Sequence, residues 1–384
     1  MNGFDFRTVS HLRIESGAAS RLGELLRQHF NYSRLCLVTD RFLHESGLLD
    51  SALANLQTHG WHVHIIDNVV ADPPDHVILS ATENARTFGA EIIVGLGGGS
   101  SMDVAKLLAV LLGSEQPLDQ MYGIGNVTGP RLPLVQLPTT AGTGSEVTPI
   151  SIVTTGETTK AGVVSPVLYA DMAILDARLT LGLPPKATAA TGIDAMVHAL
   201  EAYTSRHLKN PLSDTLAVKA LQLLSANILS ACENGKNLAA REAMLVGAML
   251  AGQAFSNAPV AAVHALAYPV GGIFHVAHGL SNALVLPHVM RFNAPAAAPL
   301  YAELANVVLP GAVGSDTERT DALIGFFDLV SAETGIERRL REVGVQEVDL
   351  RLMAREAMKQ TRLLGNNPRE VTEDDAFDIY SAAY

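Results

Sequence analysis

Hydrophobic and polar positions alternate in two different ways along the chain. In residues 1–185, short apolar runs predict strands at Leu35–Thr39, His62–Ile66, Ile92–Gly95 and Leu134–Leu137. Amphipathic stretches at 20–29, 48–59 and 75–89 predict helices between them. Alternating strands and helices are typical of a parallel sheet covered by helices. We therefore predict an α/β N-terminal domain with a Rossmann-like parallel sheet over residues 1–185.

The second half of the chain has a helical pattern throughout. Residues 186–384 are rich in Ala and Leu, and their periodicity predicts helices at 188–205, 212–232, 238–255 and 320–343. Pro184-Pro185 stands at the change of pattern, and proline does not continue a helix. These features predict an all-α C-terminal domain over residues 186–384.

Composition and charge exclude several classes of protein. With 48% hydrophobic residues, the chain of 384 residues is rich enough in apolar side chains to bury large cores and is not a disordered protein. A net charge of -12 without a Lys/Arg-rich run predicts no nucleic-acid partner. Two distant cysteines and an N-terminus without an apolar signal predict a cytoplasmic protein. The apolar runs are too short to span a bilayer, so we predict no membrane partner.

A glycine-rich loop follows one predicted strand in the stretch IIVGLGGGSSMDVAK. Gly97, Gly98, Gly99 and Ser100 separate the strand from a helix start, where free N–H groups attract a phosphate and glycines let it approach. The alternative interpretation is an ordinary tight turn between strand and helix. The motif also differs from the usual dinucleotide fingerprint, which follows the first strand of its domain.

Two further segments carry groups that suit a nucleotide. Asp40 ends the strand CLVTD, where its carboxylate could bind ribose hydroxyls and repel a 2′-phosphate, which favours NAD over NADP. Asp at such a junction is also a common helix N-cap, and the two roles are compatible. The loop PTTAGTGSEVT offers the hydroxyls of Thr139, Thr140, Thr143 and Ser145 to a phosphate or ribose. Its alternative interpretation is a solvated polar loop.

Aspartate and histidine residues gather in two segments of the second half. Asp194 and His198, in TGIDAMVHALE, are four residues apart and share one helix face. An apolar stretch interrupted by Gly and Pro, residues 263–290, holds four of the 13 histidines: His264, His275, His278 and His288. Hydrogen bonding in the core would explain any one of them. Together with the Asp–His pair they favour a metal site, because imidazoles and a carboxylate suit iron(II) or zinc.

The motifs GGGSSMD, TTAGTGSEVT, GIDAMVHALEAYTS, VHALAYPVGG and HGLSNALVLPHVM occur in one order. In this order the sequence resembles the iron-containing (group III) alcohol dehydrogenase family over nearly its whole length. The resemblance implies the dehydroquinate synthase-like fold of that family. It also implies a metal-dependent, NAD-linked alcohol dehydrogenase that oxidises a small primary alcohol or diol to the aldehyde, reversibly, and that is commonly a homodimer.

The resemblance also assigns site residues. It implies Fe²⁺, with Zn²⁺ as the alternative, bound by Asp194, His198, His264 and His278. Related glycerol dehydrogenases use one Asp and two His, so the set of four resembles the iron branch. The family's NAD contacts fall on Asp40, Gly97, Gly98, Gly99, Ser100, Asp103, Thr139, Thr140, Thr143, Ser145 and Lys160.

One position departs from the family pattern. Many members have a histidine near the nicotinamide that helps proton transfer, in HxxxHPxG, and here that position is Tyr268. The Tyr268 hydroxyl and His275 are both candidates for the proton relay. Apolar side chains at Phe255, Val260, Tyr268 and Phe274 favour small uncharged substrates.

Three other functions fit parts of this pattern. They are a metal-free reductase of the maleylacetate type, a dehydroquinate synthase-like lyase and a non-catalytic metal- or nucleotide-binding protein. The complete four-ligand set argues against the first. The second would need a Lys/Arg cluster near the ligands for a phosphorylated acid, and the sequence shows none. Metal ligands combined with a nucleotide loop favour an active site over the third.

Overall fold

A computed structural model describes residues 3–156 and 159–384 of the chain. Its strands are β1 (His11–Ile14), β2 (Arg34–Val38), β3 (His62–Ile66), β4 (Ile92–Gly97), β5 (Gly123–Ile124), β6 (Leu134–Pro138), β7 (Ile150–Thr155), β8 (Thr159–Val164) and β9 (Met172–Leu175). Its helices are α1 (Leu22–His29), α2 (Arg41–Glu45), α3 (Asp50–Thr58), α4 (Asp75–Phe88), α5 (Gly99–Gly113), α6 (Pro185–Thr204), α7 (Pro211–Glu233), α8 (Leu238–Asn257), α9 (Ala262–Phe274), α10 (His278–Val308), α11 (Asp316–Glu333), α12 (Leu350–Met358), α13 (Thr361–Leu364) and α14 (Glu373–Ala383).

The chain divides into two compact units. The α/β unit comprises Thr8–Thr140 and Ser145–Gly182 and contains β1 to β9. The helical unit comprises Leu183–Tyr384 together with Ala141–Gly144 and the described residues up to Arg7. The predicted fold class, a parallel α/β unit and an all-α unit, is confirmed.

A parallel sheet forms the centre of the α/β unit. Its strand order is β1-β9-β6-β4-β2-β3, and every neighbouring pair is parallel. The central strands are apolar and buried along their length because helices cover both faces of such a sheet. The register pairs Val38 of β2 with Gly95 of β4, and Gly97 of β4 with Pro138 of β6. The carboxyl ends of these three strands therefore lie side by side.

A smaller sheet of three strands lies in the same unit. Its order is β5-β8-β7, with β7 and β8 antiparallel. Thr154 of β7 donates its N–H to the carbonyl of Pro73 at 3.0 Å, so this hairpin holds the segment that leads into α4. The sequence pattern did not predict these strands, whose side chains are largely half-buried.

In the helical unit, α6, α7 and α8 pack against one another, and α10 packs on α6, α9 and α11. Pro185 occupies the first position of α6, where a missing N–H costs no helical hydrogen bond. Asn210 and Asn237 cap α7 and α8, and Ser315 forms a capping box on α11. By length and composition α7 could also cross a membrane, which is weak evidence because core helices of soluble proteins share those properties.

One predicted helix has different bounds, and one segment that contains glycines and prolines is more regular than its sequence indicated. The helix predicted over 320–343 ends at Glu333, and Gly335 then adopts a left-handed conformation that stops it. The segment 263–290 is not interrupted by its prolines, because α9 continues through Pro269 and α10 through Pro287. The break between them falls at His275, which has a φ of 56°.

Candidate active site

Four potential metal ligands converge inside the helical unit. Asp194 Oδ1 lies 3.9 Å from Nε2 of His198, 3.8 Å from Nε2 of His264 and 3.6 Å from Nε2 of His278. One donor atom from each of the four residues lies within 4.8 Å of the others. Among the described residues, these four are the group that could hold a metal ion. The structure thus brings together all four residues that the sequence nominated as ligands.

Three helices supply these side chains. Asp194 and His198 lie one turn apart on α6, His264 is near the start of α9, and His278 is the first residue of α10. Gly279 makes the approach of α10 to α6 feasible, because a Cβ there would overlap the carbonyl of Ala190. A larger residue at this position would move His278 away from Asp194.

Aromatic stacking fixes the imidazole rings. His198 stacks on Phe255 with ring centroids 4.2 Å apart and on His264 with centroids 4.7 Å apart.

Burial lowers the pKa of His198 to about 3, so its ring is neutral and keeps a lone pair for a cation. Burial alone would raise the pKa of Asp194, but the three imidazoles and Asn282 outweigh it, and the pKa falls below its ordinary value.

A buried carboxylate orients one of the ligands. Glu201 Oε2 lies 2.7 Å from His264 Nδ1, so the proton of this ring is on Nδ1 and the lone pair of Nε2 faces Asp194. The same carboxylate accepts the backbone N–H groups of Ala261 and Val263 at 2.9 and 2.7 Å. Those N–H groups belong to the start of α9, where no local side chain caps the helix. A carboxylate behind a histidine ligand is a common arrangement in metal sites.

Asn282 shows that the cluster presents acceptors to a shared centre. Its Nδ2 donates to Asp194 Oδ1 at 2.6 Å and lies 3.3 and 3.4 Å from Nε2 of His264 and His278. The inward-facing atoms are thus one carboxylate oxygen and ring nitrogens with lone pairs. Neutral imidazoles and a carboxylate are suitable ligands for divalent iron or zinc, so the residues present fit such an ion.

The remaining nominated residues of the second half occupy different places. The ring of Tyr268 lies 6.1 Å from that of His278, beside the ligand cluster. His275 is exposed at the end of α9. His288 lies outside the ligand group, and burial lowers its pKa to about 4.

The predicted nucleotide residues gather at the carboxyl edge of the parallel sheet. Asp40 follows β2, and residues 97–100 join the end of β4 to the first turn of α5. Thr139 follows β6 and donates its N–H to the carbonyl oxygen of Gly97 at 2.9 Å. Gly98 is the N-cap of α5. Dinucleotides bind at this edge in open α/β sheets, at the point where the strand order reverses. Asp40 accepts the N–H of Leu43 at 2.9 Å, which confirms its role as a helix N-cap.

The loop 139–148 is not a solvated loop. Thr139 and Ser145 are buried, and Ser145 Oγ donates to Asp103 Oδ1 at 2.6 Å. The other Asp103 oxygen accepts the N–H of Ile152 at 2.8 Å, and Lys106 donates to Ser145 at 2.7 Å. Asp103 and Ser145 thus anchor α5 to the start of β7. Thr143 belongs to the helical unit, whereas Thr139, Thr140 and Ser145 belong to the α/β unit.

Known families match almost the whole chain. The model of "Iron-containing alcohol dehydrogenase" matches residues 10–177, and that of "Fe-containing alcohol dehydrogenase family, C-terminal" matches residues 188–384. The chain belongs to the iron-containing alcohol dehydrogenase family. It is therefore an oxidoreductase, as the motifs implied.

Individual relatives agree with this family. Long-chain-alcohol dehydrogenase 1 of Geobacillus thermodenitrificans is 41% identical over 91% of this chain and 89% of its own. The crystal structure of a 1,3-propanediol oxidoreductase aligns with this one over 100% of both chains, with a TM-score of 0.95 and 36% sequence identity. A sulfoacetaldehyde reductase of Bifidobacterium kashiwanohense, solved in complex with NAD⁺, has a TM-score of 0.88 at 28% identity and covers 100% of this chain and 99% of its own.

Sequence reasoning missed two residues of the cluster, Glu201 and Asn282. Glu201 carried a readable signal, because positions 194, 198 and 201 repeat at helical spacing and share one face. Asn282 likewise follows His278 by one turn. The family resemblance assigned roles to the metal ligands and not to the residues behind them, so it did not point to Glu201 or Asn282.

Proposed function

We propose that this family member oxidises a small primary alcohol or diol to the aldehyde, and reduces the aldehyde, with NAD and divalent iron bound by the residues described above. The observation that supports this most directly is the convergence of one carboxylate oxygen and three imidazoles, with donor atoms within 4.8 Å of one another. A metal-free reductase would have no need of this set.

The residues of the cluster fall into ligands and residues that support them. Asp194, His198, His264 and His278 would hold the cation, and Glu201 keeps the His264 ring in the tautomer that can bind it. When bound, a divalent cation supplies a Lewis acid that favours the deprotonated alcohol and polarises the carbonyl of the aldehyde. Phe255 is buried against His198 and keeps water from that side of the cluster.

For the cofactor, we propose that the α/β unit binds NAD along the carboxyl edge of its sheet. The N–H groups at the start of α5 suit the diphosphate, and the glycines before it leave room for close approach. The Asp40 carboxylate would accept hydrogen bonds from the hydroxyls of the adenosine ribose and would repel a 2′-phosphate. The NAD⁺ complex of the related sulfoacetaldehyde reductase supports this choice of nucleotide.

The substrate class rests on apolar surroundings and on relatives. Phe255 and Val260 are buried apolar residues of the helical unit, and Phe255 contacts a proposed ligand. The name of the related 1,3-propanediol oxidoreductase supports a small diol, whereas the Geobacillus relative is named for long-chain alcohols. Tyr268 is the proposed proton relay, because its ring lies beside His278 and its hydroxyl can donate and accept.

Cytoplasmic location and a homodimeric state are further proposals from the sequence. The excess of negative charge supports a soluble protein that binds neither nucleic acid nor membranes. Light scattering coupled to gel filtration would measure the assembly, and a monomer at micromolar concentration would contradict the dimer.

The test is aldehyde-dependent NADH oxidation by metal-stripped protein, before and after addition of Fe(II) or Zn(II). We expect one metal to restore turnover on short aldehydes and neither to do so in His264→Ala. His207→Ala is the matched control, since His207 is an exposed histidine outside the ligand group. Full activity of metal-free His264→Ala would refute the proposal.

A further inference from the structure

Asp72 has a strained backbone beside the glycine loop. It lies between β3 and α4 with a φ of 51°, in the left-handed region that residues with a Cβ rarely occupy. Two hydrogen bonds hold this conformation. The N–H of Asp72 donates to Ser100 Oγ at 3.2 Å, and its carbonyl accepts from Thr154 Oγ1 at 2.8 Å. Left-handed residues other than glycine are uncommon, and backbone conformations of this kind concentrate at ligand-binding sites.

The Asp72 side chain is paired with a lysine. Its Oδ2 lies 2.9 Å from Nζ of Lys160, which also donates to Thr154 Oγ1 at 3.1 Å. An ammonium group has three N–H donors, so the contacts with described residues leave one for a ligand. The Lys160 side chain is only 10% exposed, whereas that of Asp72 is 45% exposed. The ion pair is therefore partly shielded from solvent on the lysine side.

The hydrogen bond from the backbone N–H of Asp72 leaves the Ser100 hydroxyl free to act as a donor. Its Oγ accepts the N–H of Asp72, so its hydroxyl hydrogen is available to an acceptor outside this bond. Ser100 lies in the first turn of α5, where helix N–H groups also attract an anion. Asp72 thus contacts both a hydroxyl and an ammonium group that suit a phosphate, while its own carboxylate repels one.

We propose that Asp72 is a positioning residue that limits the affinity of the nucleotide site by offsetting the positive charge of Lys160. This inference rests on the proposed NAD-binding function and names a residue outside the assigned cofactor contacts. In the free protein, Asp72 offsets part of the Lys160 charge, so a diphosphate oxygen that accepts the remaining N–H of Lys160 meets a weaker positive charge and a nearby carboxylate. Looser binding of this kind would speed the release of the cofactor, and product release limits turnover in many enzymes.

The test compares Asp72→Asn with Lys160→Met and with the double variant. Asn tolerates a left-handed backbone, so Asp72→Asn keeps the fold of this segment and removes only the charge. We expect NADH and ADP to bind about three- to tenfold more tightly to Asp72→Asn in low salt, and the gain to shrink in 0.5 M NaCl because screening weakens the charge effect. Titration calorimetry or NADH fluorescence gives these dissociation constants for the intact protein.

A double-mutant comparison separates positioning from simple charge removal. If Asp72 acts mainly through Lys160, most of the gain disappears in the Lys160→Met background, and only the part due to direct repulsion by the carboxylate remains. Glu83→Gln is the matched control, because it removes one exposed negative charge from the same unit and should leave both constants unchanged. Unchanged or weaker binding by Asp72→Asn would overturn the proposal, as would the same gain without Lys160. A wild-type protein that binds neither NADH nor ADP would refute the proposed function instead.

Discussion

Replacing Glu201 with Gln tests the link between the start of α9 and the ligand cluster. The buried carboxylate accepts three N–H groups, from Ala261, Val263 and His264. A carboxamide has one oxygen and one NH₂ group. If its oxygen takes the place of Oε2, two bonds survive and the NH₂ group faces the N–H of Val263. The opposite orientation loses two bonds, so at least one buried donor is left without an acceptor.

The size of the effect follows from this count. Loss of one hydrogen bond to a charged group, with a buried donor left unsatisfied, costs about 3 kcal/mol of stability. A neutral amide oxygen holds the His264 N–H less strongly than a carboxylate oxygen does, so metal affinity should fall by roughly 10- to 100-fold, as is typical of changes behind a histidine ligand. Chelator competition with Zn(II) or Co(II) measures the affinity, and urea unfolding of the metal-free protein measures the stability.

The matched control for this variant is Glu242→Gln, which changes an exposed glutamate on α8 of the same unit. It should alter neither the urea midpoint nor the metal dissociation constant. Metal binding by Glu201→Gln as tight as that of the wild type would refute the orientation of His264 by the carboxylate. A loss of stability without any loss of metal affinity would reduce Glu201 to a helix cap.

Three other variants test the choice of cofactor, the proton relay and a buried carboxyl group. Asp40→Asn keeps the helix cap but removes the charge, so the preference for NADH over NADPH, measured as a ratio of kcat/KM, should fall by roughly tenfold; an unchanged ratio would leave Asp40 as a cap only. Tyr268→Phe should lower kcat about 100-fold while the metal dissociation constant stays the same, and full activity would exclude the hydroxyl as proton relay. Burial raises the pKa of Glu146 to about 7, so its folded form prefers the proton, and the stability it contributes below its ordinary pKa is lost as the pH rises through 7. Glu146→Gln should therefore gain stability over the wild type between pH 5 and pH 8.5, by up to about 3 kcal/mol in urea unfolding, and a difference independent of pH would contradict this.

The parts of the fold predicted from sequence are those with strong periodic patterns. β3 was predicted at its observed bounds, and α6 begins and ends within a few residues of the predicted 188–205. The hairpin of β7 and β8 was missed because half-buried strands carry polar residues and lack a clear alternation. The helix α10 continues through Pro287, Pro295 and Pro299, since its packing on α6, α9 and α11 outweighs the local preference of proline to end a helix.

In the candidate site too, local spacing predicted some contacts and gave no information about others. Asp194 and His198 were paired by their helical spacing, and the structure places them at one centre. The choice of His264 and His278 among four histidines came from the family resemblance, because spacing alone does not show that α9 and α10 turn back at His275. Lys160 was nominated as a cofactor contact, but its pairing with Asp72 joins residues 88 positions apart and leaves no trace in either local sequence.

Because the ligand residues come from α6, α9 and α10, an ion at their centre would act as a cross-link between segments up to 84 residues apart. Binding to the folded state alone stabilises a protein by about 4 kcal/mol when the free ion is at 1,000 times its dissociation constant. The metal-free chain would open more often near residues 275–277, where α9 and α10 separate, and proteases would cut it there first. Iron supply would then set the lifetime of the protein as well as its turnover, and the enzyme would disappear fastest under the conditions in which it cannot work.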